Sequence, residues 1–303
     1  MIAIDVMGGD NAPFVVLQGA AQAAKNGIAI RLHGPESIIL PWLTEHVPLW
    51  QDLPITISPS TEIIEMDEEP VFAVRKKQNS SLVGAVRDVA NGTCTAALSA
   101  GNSGAMMVAS ALVIGREVGI ERPAIAGYVP TKSGIALALD LGANTECRPY
   151  HLVQFAHLGT THAREFMGIA LPRVGLLSNG HEDSKGSQLG KEAFLLLKQD
   201  ATINFIGNIE PYDIFQHKAD VIITDGFSGN VLLKTMEAVT ALIAAWYPEI
   251  AASLNNKLLP SQCGGALLLG VNGTAIVCHG GADANTMEKA ITFAWQMRAQ
   301  KKE

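Results

Sequence analysis

The feature that most constrains this chain is an alternation along its length. Short apolar runs end in glycine-rich turns, and a stretch of helical periodicity follows each turn. A strand that is apolar on both faces must be covered on both faces. Crossover helices do this when the strands run parallel. The pattern therefore predicts an α/β protein with a mostly parallel sheet. Apolar runs from Ile2–Val6 to Ala275–Cys278 read as strands. Helices are expected at Pro13–Asn26, Val71–Ala90, Gly104–Val118, Arg148–Met167, Gln188–Lys198, Gly229–Trp246 and Asp283–Gln300.

Composition narrows the class. The chain has 303 residues, 48% hydrophobic and 17% charged, which excludes a disordered or coiled-coil protein. Lys plus Arg is 22 against 29 for Asp plus Glu, a net charge of −7, so the basic surplus of a nucleic-acid binder is missing. Cys94, Cys147, Cys263 and Cys278 are far apart and form no CxxC pair, which fits a reducing cytoplasm. The chain opens directly on Ile2 and Ala3 without a basic leader, and no apolar run reaches the length of a membrane span. No Pro/Gly/Ser linker divides it, so we expect one compact unit, 1–303, of two lobes with a border near 120–135.

Five strand ends run into small, polar turns. They are Asp5 to Asn11 with Gly8, Gly9 and Asp10; Ser99 to Gly104 with Gly101, Asn102 and Ser103; Asp140 to Asn144; Asp225 to Asn230 with Gly226 and Gly229; and His279 to Asp283. In open α/β sheets the carboxyl ends of the strands are where ligands bind. Helices that start there offer free N–H groups and a positive dipole end, which suit an anion. Any single turn of this kind is explained by turn and cap chemistry. Five together point to a phosphate-handling cleft. The chain contains neither G-x-G-x-x-G nor G-x-x-x-x-G-K-[ST], so a dinucleotide site and a P-loop are both unsupported.

At these turns the sequence resembles the PlsX-type phosphate acyltransferases. The resemblance is carried by Ile2-Ala3-Ile4-Asp5-Val6-Met7-Gly8-Gly9-Asp10-Asn11, Arg75-Lys76-Lys77-Gln78-Asn79, Ser99 to Ala105, Asp140 to Asn144, Lys185-Gly186, Asp225 to Val231, Gly264 to Gly270 and His279-Gly280. It implies a Rossmann-like three-layer α/β fold of the isocitrate/isopropylmalate dehydrogenase and phosphotransacetylase group. It also implies transfer of an acyl group from the thioester of acyl carrier protein to inorganic phosphate. The acyl phosphate would feed a membrane glycerol-3-phosphate acyltransferase that begins phospholipid synthesis. The implied assembly is a homodimer. From the residues we expect no cofactor and assign no metal ligands, and the need for a metal stays open.

Inorganic phosphate is largely dianionic at neutral pH, since a phosphate monoester has its second pKa at about 6. The chemistry therefore needs a seat for the dianion and donors for a developing oxyanion more than it needs a strong base. Asn102, Asn144 and Asn230 offer amides at three turns, and Lys185 offers a compact cation. His279 can protonate the departing thiolate or orient phosphate. We take Lys185, Asn230 and His279 as catalytic candidates. Asp5, Gly8, Gly9, Asp10, Gly101, Asn102, Ser103, Gly104, Asn144, Asp225, Gly226 and Gly229 are candidates for the phosphate and substrate turns. The aspartates serve equally well as ties for their own loops. Cys147 and Cys278 read as small buried hydrophobes rather than acyl carriers.

Arg75, Lys76 and Lys77 form a basic run that could steer an acidic carrier protein. The stretch 229–262 reads as a helical hairpin, Gly229–Trp246 followed by Ile250–Leu259. The family usually carries a longer and more basic excursion here. An almost uncharged helix must be covered, either by a second copy, which we favour, or by a membrane surface contacted from the cytoplasm. Rival functions are a phosphate acetyltransferase acting on acyl-CoA, a silent scaffold for acyl carrier protein or membrane, and a metal-dependent decarboxylating dehydrogenase. The last would need a divalent metal held by acidic side chains, and the chain contains no D-x-x-x-D pair at helical spacing.

Overall fold

Strand β1 (Ile2–Asp5) is buried at every position. In the computed structural model, which describes residues 1–250 and 264–300, it lies inside a sheet with a neighbour on each side. The chain divides into two compact units. One is Met1–Gly119 with Cys263–Glu303, and the other is Ile120–Gln262. The border is thus two crossings rather than a single cut. The reason is β11 (Thr274–Val277), which returns to pair in parallel with β4 (Ala96–Ser99).

The first unit also contains β2 (Ile30–Gly34), β3 (Ile55–Pro59) and β10 (Ala266–Leu269). Its strand order is β3-β2-β1-β4-β11-β10, parallel except for the antiparallel β10–β11 pair. Its helices are α1 (Phe14–Lys25), α2 (Glu36–His46), α3 (Pro70–Lys76), α4 (Ser81–Ala90), α5 (Ser103–Ala109) and α10 (Ala284–Gln300). Helix α10 packs on α1, and α4 covers β1, β2 and β4. Several elements differ from expectation, among them β10, which is not among the expected strands. The single helix expected at Val71–Ala90 is two, because Ser80 turns extended and its hydroxyl caps α4 by accepting from Val83 N–H at 3.3 Å. The helix expected at Gly104–Val118 passes from α5 into a π-turn, Ser110–Ile114, and stops at Gly115 with φ 90°. Helix α2 escapes a pattern reading because Pro41 lies inside it.

The second unit holds β5 (Ala124–Thr131), β6 (Gly134–Leu139), β7 (Val174–Leu177), β8 (Phe205–Ile209) and β9 (Val221–Ile223), ordered β5-β6-β9-β7-β8. Only β5–β6 is antiparallel. Helices α6 (Pro149–Phe166), α7 (Gln188–Gln199), α8 (Pro211–Phe215) and α9 (Gly226–Trp246) complete it, with α6 against α7 and β9. Helix α9 begins one turn earlier than its sequence pattern suggests, because Asp225 caps it. Of its 21 residues only Gly226, Gly229 and Thr240 are buried, and Phe227 and Trp246 are 63% and 65% exposed. The second arm expected for the hairpin, Ile250–Leu259, lies outside the described residues apart from its first residue. Among the described residues no helix is long and apolar enough to cross a membrane.

Each unit has one place where the strand order reverses. In the first, the chain runs from β1 out to β3 and returns to place β4 on the other side of β1. In the second, it runs from β7 to β8 and returns to place β9 on the other side of β7. The crevices at the carboxyl ends of β1/β4 and of β9/β7 are therefore the two expected ligand positions.

Candidate active site

At the first reversal the turns after β1, β4 and β11 are knitted together. Asp5 is 2% exposed. Its carboxylate accepts from Ser99 Oγ at 2.7 Å and from Met7 N–H at 3.2 Å, and Ser99 Oγ accepts in turn from Gly101 N–H at 3.0 Å. Burial pushes the Asp5 carboxyl above its ordinary range, against the opposing hydrogen bonds of Ser81 and Ser99. A methyl group at Gly8 would sit 2.6 Å from both Asp5 Oδ2 and Gly101 N, so this glycine lets two loops touch. Gly101 is buried in the same contact, and Gly104 packs against Pro70. Asn102 caps α5 through Ala105 N–H at 3.0 Å. Its amide donates to the carbonyls of Glu65, Met66 and Glu68, the last at 2.9 Å. Asp5 and Asn102 are thus turned inward. Among the polar side chains facing out at this edge are Asp10, Asn11, Ser103 and His279. Asp10 N–H donates to Gly280 O at 2.9 Å, beside the half-buried Gly9. His279 Nδ1 accepts from Gly281 N–H at 3.0 Å, which leaves the neutral ring's proton on Nε2.

The second unit repeats this arrangement with different residues. Asp140 is fully buried, and its carboxylate accepts from the N–H groups of Ile125, Gly142, Ala143 and Asn144 and from Asn144 Nδ2. Burial raises its carboxyl, while the five donors favour the charged form. Asn144 spends its amide on Asp140 and on Pro123 O, both at 2.8 Å. Asp225 accepts from Ser228 N–H and Ser228 Oγ at 2.9 and 2.8 Å. A methyl at Gly229 would lie 1.9 Å from Asp140 O, and one at Gly226 2.6 Å from Asn144 O, so the first turn of α9 rests directly on the β6 turn. Of the three asparagines, only Asn230 has its side chain at the surface, beside Gly142.

Between β9 and β7 lies a cleft of about 710 Å³, lined by the ends of both strands, the start of α7, and Asp225 and Ser228 of α9. Its rim is the loop 178–187, which carries Lys185. The loop is braced throughout. Asn208 Nδ2 donates to Glu182 O at 2.9 Å, Gly186 N–H to Asn179 Oδ1 at 2.9 Å, and Lys198 pairs with Asp183 at 2.7 Å; His181 bonds Asp213. Lys185 is exposed and forms no ion pair among the described residues, so its ammonium is available to an anion. Lys185 and Asn230 share this unit, and His279 belongs to the other. The thiols are poor nucleophiles, since burial pushes Cys147 up to about 11 and Cys278 up to about 12.

The basic run is shorter than it reads. Lys77 folds inward, donating to Ile63 O at 2.6 Å and pairing with Glu68. Arg75 and Lys76 stay exposed, with Lys76 over the ring of Phe72, itself 63% exposed. Sequence reasoning missed the cleft wall. Ser178 and Asn179 follow β7 directly and Ser187 caps α7. The only signal was their position after an apolar run, in a turn without a preceding aspartate.

Fold and sheet edges together place this protein in a class. It is an α/β enzyme with the fold of a phosphotransacetylase from Streptococcus pyogenes, which it matches with a TM-score of 0.65 at 18% identity over 98% of this chain and 94% of that one. A 4-hydroxythreonine-4-phosphate dehydrogenase from Klebsiella pneumoniae shares the fold, with a TM-score of 0.61 at 12% identity over 98% and 99% of the two chains. More particularly, the chain belongs to the fatty acid synthesis protein family, whose model matches residues 1–302. It is 41% identical to a phosphate acyltransferase of Anaeromyxobacter sp. (strain K), over 97% of this chain and 85% of that protein. It is an acyltransferase.

Proposed function

We propose that this acyltransferase moves a fatty acyl group from the thioester of acyl carrier protein to inorganic phosphate, releasing acyl phosphate. The observation that carries the reading is 41% identity, over 97% of this chain, to a protein named phosphate acyltransferase. In the step, a phosphate oxygen bonds to the acyl carbon and the carbon–sulfur bond breaks. The proton of the phosphate dianion closes the balance on the departing thiolate, so no base of the protein is consumed. Lys185 meets the dianion and Asn230 donates to the developing oxyanion. Asp5, Asp140, Asn102 and Asn144 keep the turns in shape. The product suits a membrane acyltransferase that consumes acyl phosphate. Titrating phosphate against acyl carrier substrate and following thiol release tests this. Release should saturate with phosphate and vanish without it, whereas phosphate-independent release would sink the reading. Acyl-CoA in place of the carrier substrate separates the acetyltransferase-like alternative.

The exposed pair Arg75 and Lys76, next to Phe72, is the surface we assign to the acidic carrier. Reversing both to Glu should raise KM for the carrier substrate roughly three- to tenfold at low salt and leave KM for phosphate unchanged. If salt affects wild type and variant equally, the pair is only a solvated face. Helix α9 is assigned to a homodimer contact. Its apolar residues are exposed, and Lys234 is paired with Glu237 at 2.8 Å, leaving little basic charge for anionic lipid. Ala245→Glu should therefore sediment as a monomer. A variant that stays dimeric but no longer binds anionic vesicles would assign α9 to the membrane surface.

A further inference from the structure

The cleft between β9 and β7 has an unusual wall for a site that handles an anion. Leu152, Leu176, Leu177, Leu189 and Pro211 make it mainly apolar, and among the described residues no lysine or arginine lines it. The one charged side chain among its described lining residues, Asp225, has its carboxylate engaged by Ser228. A dianion placed here would be stripped of water without a counter-charge in the wall. A slender neutral chain would bury apolar surface at no such cost.

Four hydroxyls line the same wall, and three are already engaged. Thr224 Oγ1 donates to Asp225 O at 3.2 Å, Ser187 Oγ accepts from Gly190 N–H at 3.1 Å, and Ser228 Oγ donates to Asp225. The buried Ser178 Oγ has no hydrogen-bond partner among the described residues. Its residue is nevertheless half-buried at the cleft. Gly186, at φ +98°, lies over it, and a methyl group there would come within 3.2 Å of the hydroxyl. Rotating Ser178 about χ1 breaks no hydrogen bond and satisfies an oxygen that is costly to leave bare.

We infer that this cleft receives the neutral, amide-bearing arm that carries the acyl thioester, and that Ser178 Oγ hydrogen-bonds one of its amides. The inference rests on the proposed reaction for the identity of the arm. It assigns the arm and the phosphate to different surfaces, the phosphate being met by Lys185 on the rim. Coenzyme-bound and carrier-bound substrates present the same arm, so pantetheine is the probe.

Ser178→Ala removes a bare hydroxyl and should leave the melting temperature unchanged or higher. Its KM for acyl-pantetheine should rise about three- to tenfold, the worth of one neutral hydrogen bond, with KM for phosphate unchanged. With the ethanethiol ester of the same acyl chain, which has no amide, variant and wild type should match. Leu189→Phe, which narrows the cleft, should weaken pantetheine binding in calorimetry without phosphate present. If Ser178→Ala shifts KM for phosphate, or shifts both thioesters equally, or pantetheine binds wild type and both variants alike, the assignment is overturned. If phosphate-dependent transfer fails but pantetheine still distinguishes wild type from Ser178→Ala, the reaction falls and the cleft assignment stands. Carrier-bound substrate behaving like acyl-pantetheine, with acyl-CoA inactive, would name the carrier as the source.

Discussion

Replacing Lys185 by alanine should lower turnover roughly 10²- to 10³-fold with no loss of fold. That factor corresponds to about 2.7–4 kcal/mol, typical of removing one preorganised contact to a charge in the transition state. The physical basis is the loop. It is held at Asn179, His181, Glu182 and Asp183 by groups that the substitution does not touch, so the backbone stays in place. Among the described residues the exposed ammonium supports no ion pair whose loss would destabilise the protein. Thermal unfolding of Lys185→Ala should therefore match wild type within about 0.5 kcal/mol, as for surface substitutions generally. An Arg variant should recover only part of the rate, since a planar fork cannot occupy the place of a compact ammonium. Unchanged turnover in Lys185→Ala would remove this residue from the site.

The opposite pattern is expected of Asp140→Ala, which should be too unstable to purify or should lose at least about 5 kcal/mol. Five N–H donors converge on this carboxylate in a place without water access. Orphaning a buried donor costs about 1–3 kcal/mol, so losing even part of the set approaches the whole stability of a domain, about 5–15 kcal/mol. Asp140→Asn keeps one acceptor oxygen and should fall between. Chemical denaturation followed by circular dichroism reads the difference. If Asp140→Ala stays within about 1 kcal/mol of wild type and loses activity alone, the residue is a substrate contact and not a tie.

These two residues look alike in the sequence, since each sits in a polar turn after an apolar run. What separates them is burial: Asp140 is fully buried and Lys185 is exposed, although four of the five donors to Asp140 come from residues 142–144. For other inward-turned residues the partners are distant. One partner of Asp5 is Ser99, 94 residues away, Asn102 holds the carbonyls of Glu65, Met66 and Glu68, and Asn144 holds Pro123. An inward turn of this kind depends on which loop the fold brings alongside, and no pattern of spacing encodes it. Lys77 shows the same thing for charge, because its pairing with Glu68 takes it out of a run that reads as three exposed cations.

By itself the amino-acid sequence determined the alternation of strand, glycine turn and helix, the α/β class that follows, and the family through its turn motifs. These rest on short-range rules: side-chain periodicity, φ freedom at glycine, and caps within three residues. Only the tertiary structure decided that β11 returns to β4, that strand order reverses at β1/β4 and at β9/β7, and that Asp10, Ser103, His279, Lys185 and Asn230 face outward while Asp5, Asn102, Asp140 and Asn144 face in. Burial and hydrogen-bond satisfaction are settled by neighbours distant in sequence, and those neighbours exist only once the chain has folded.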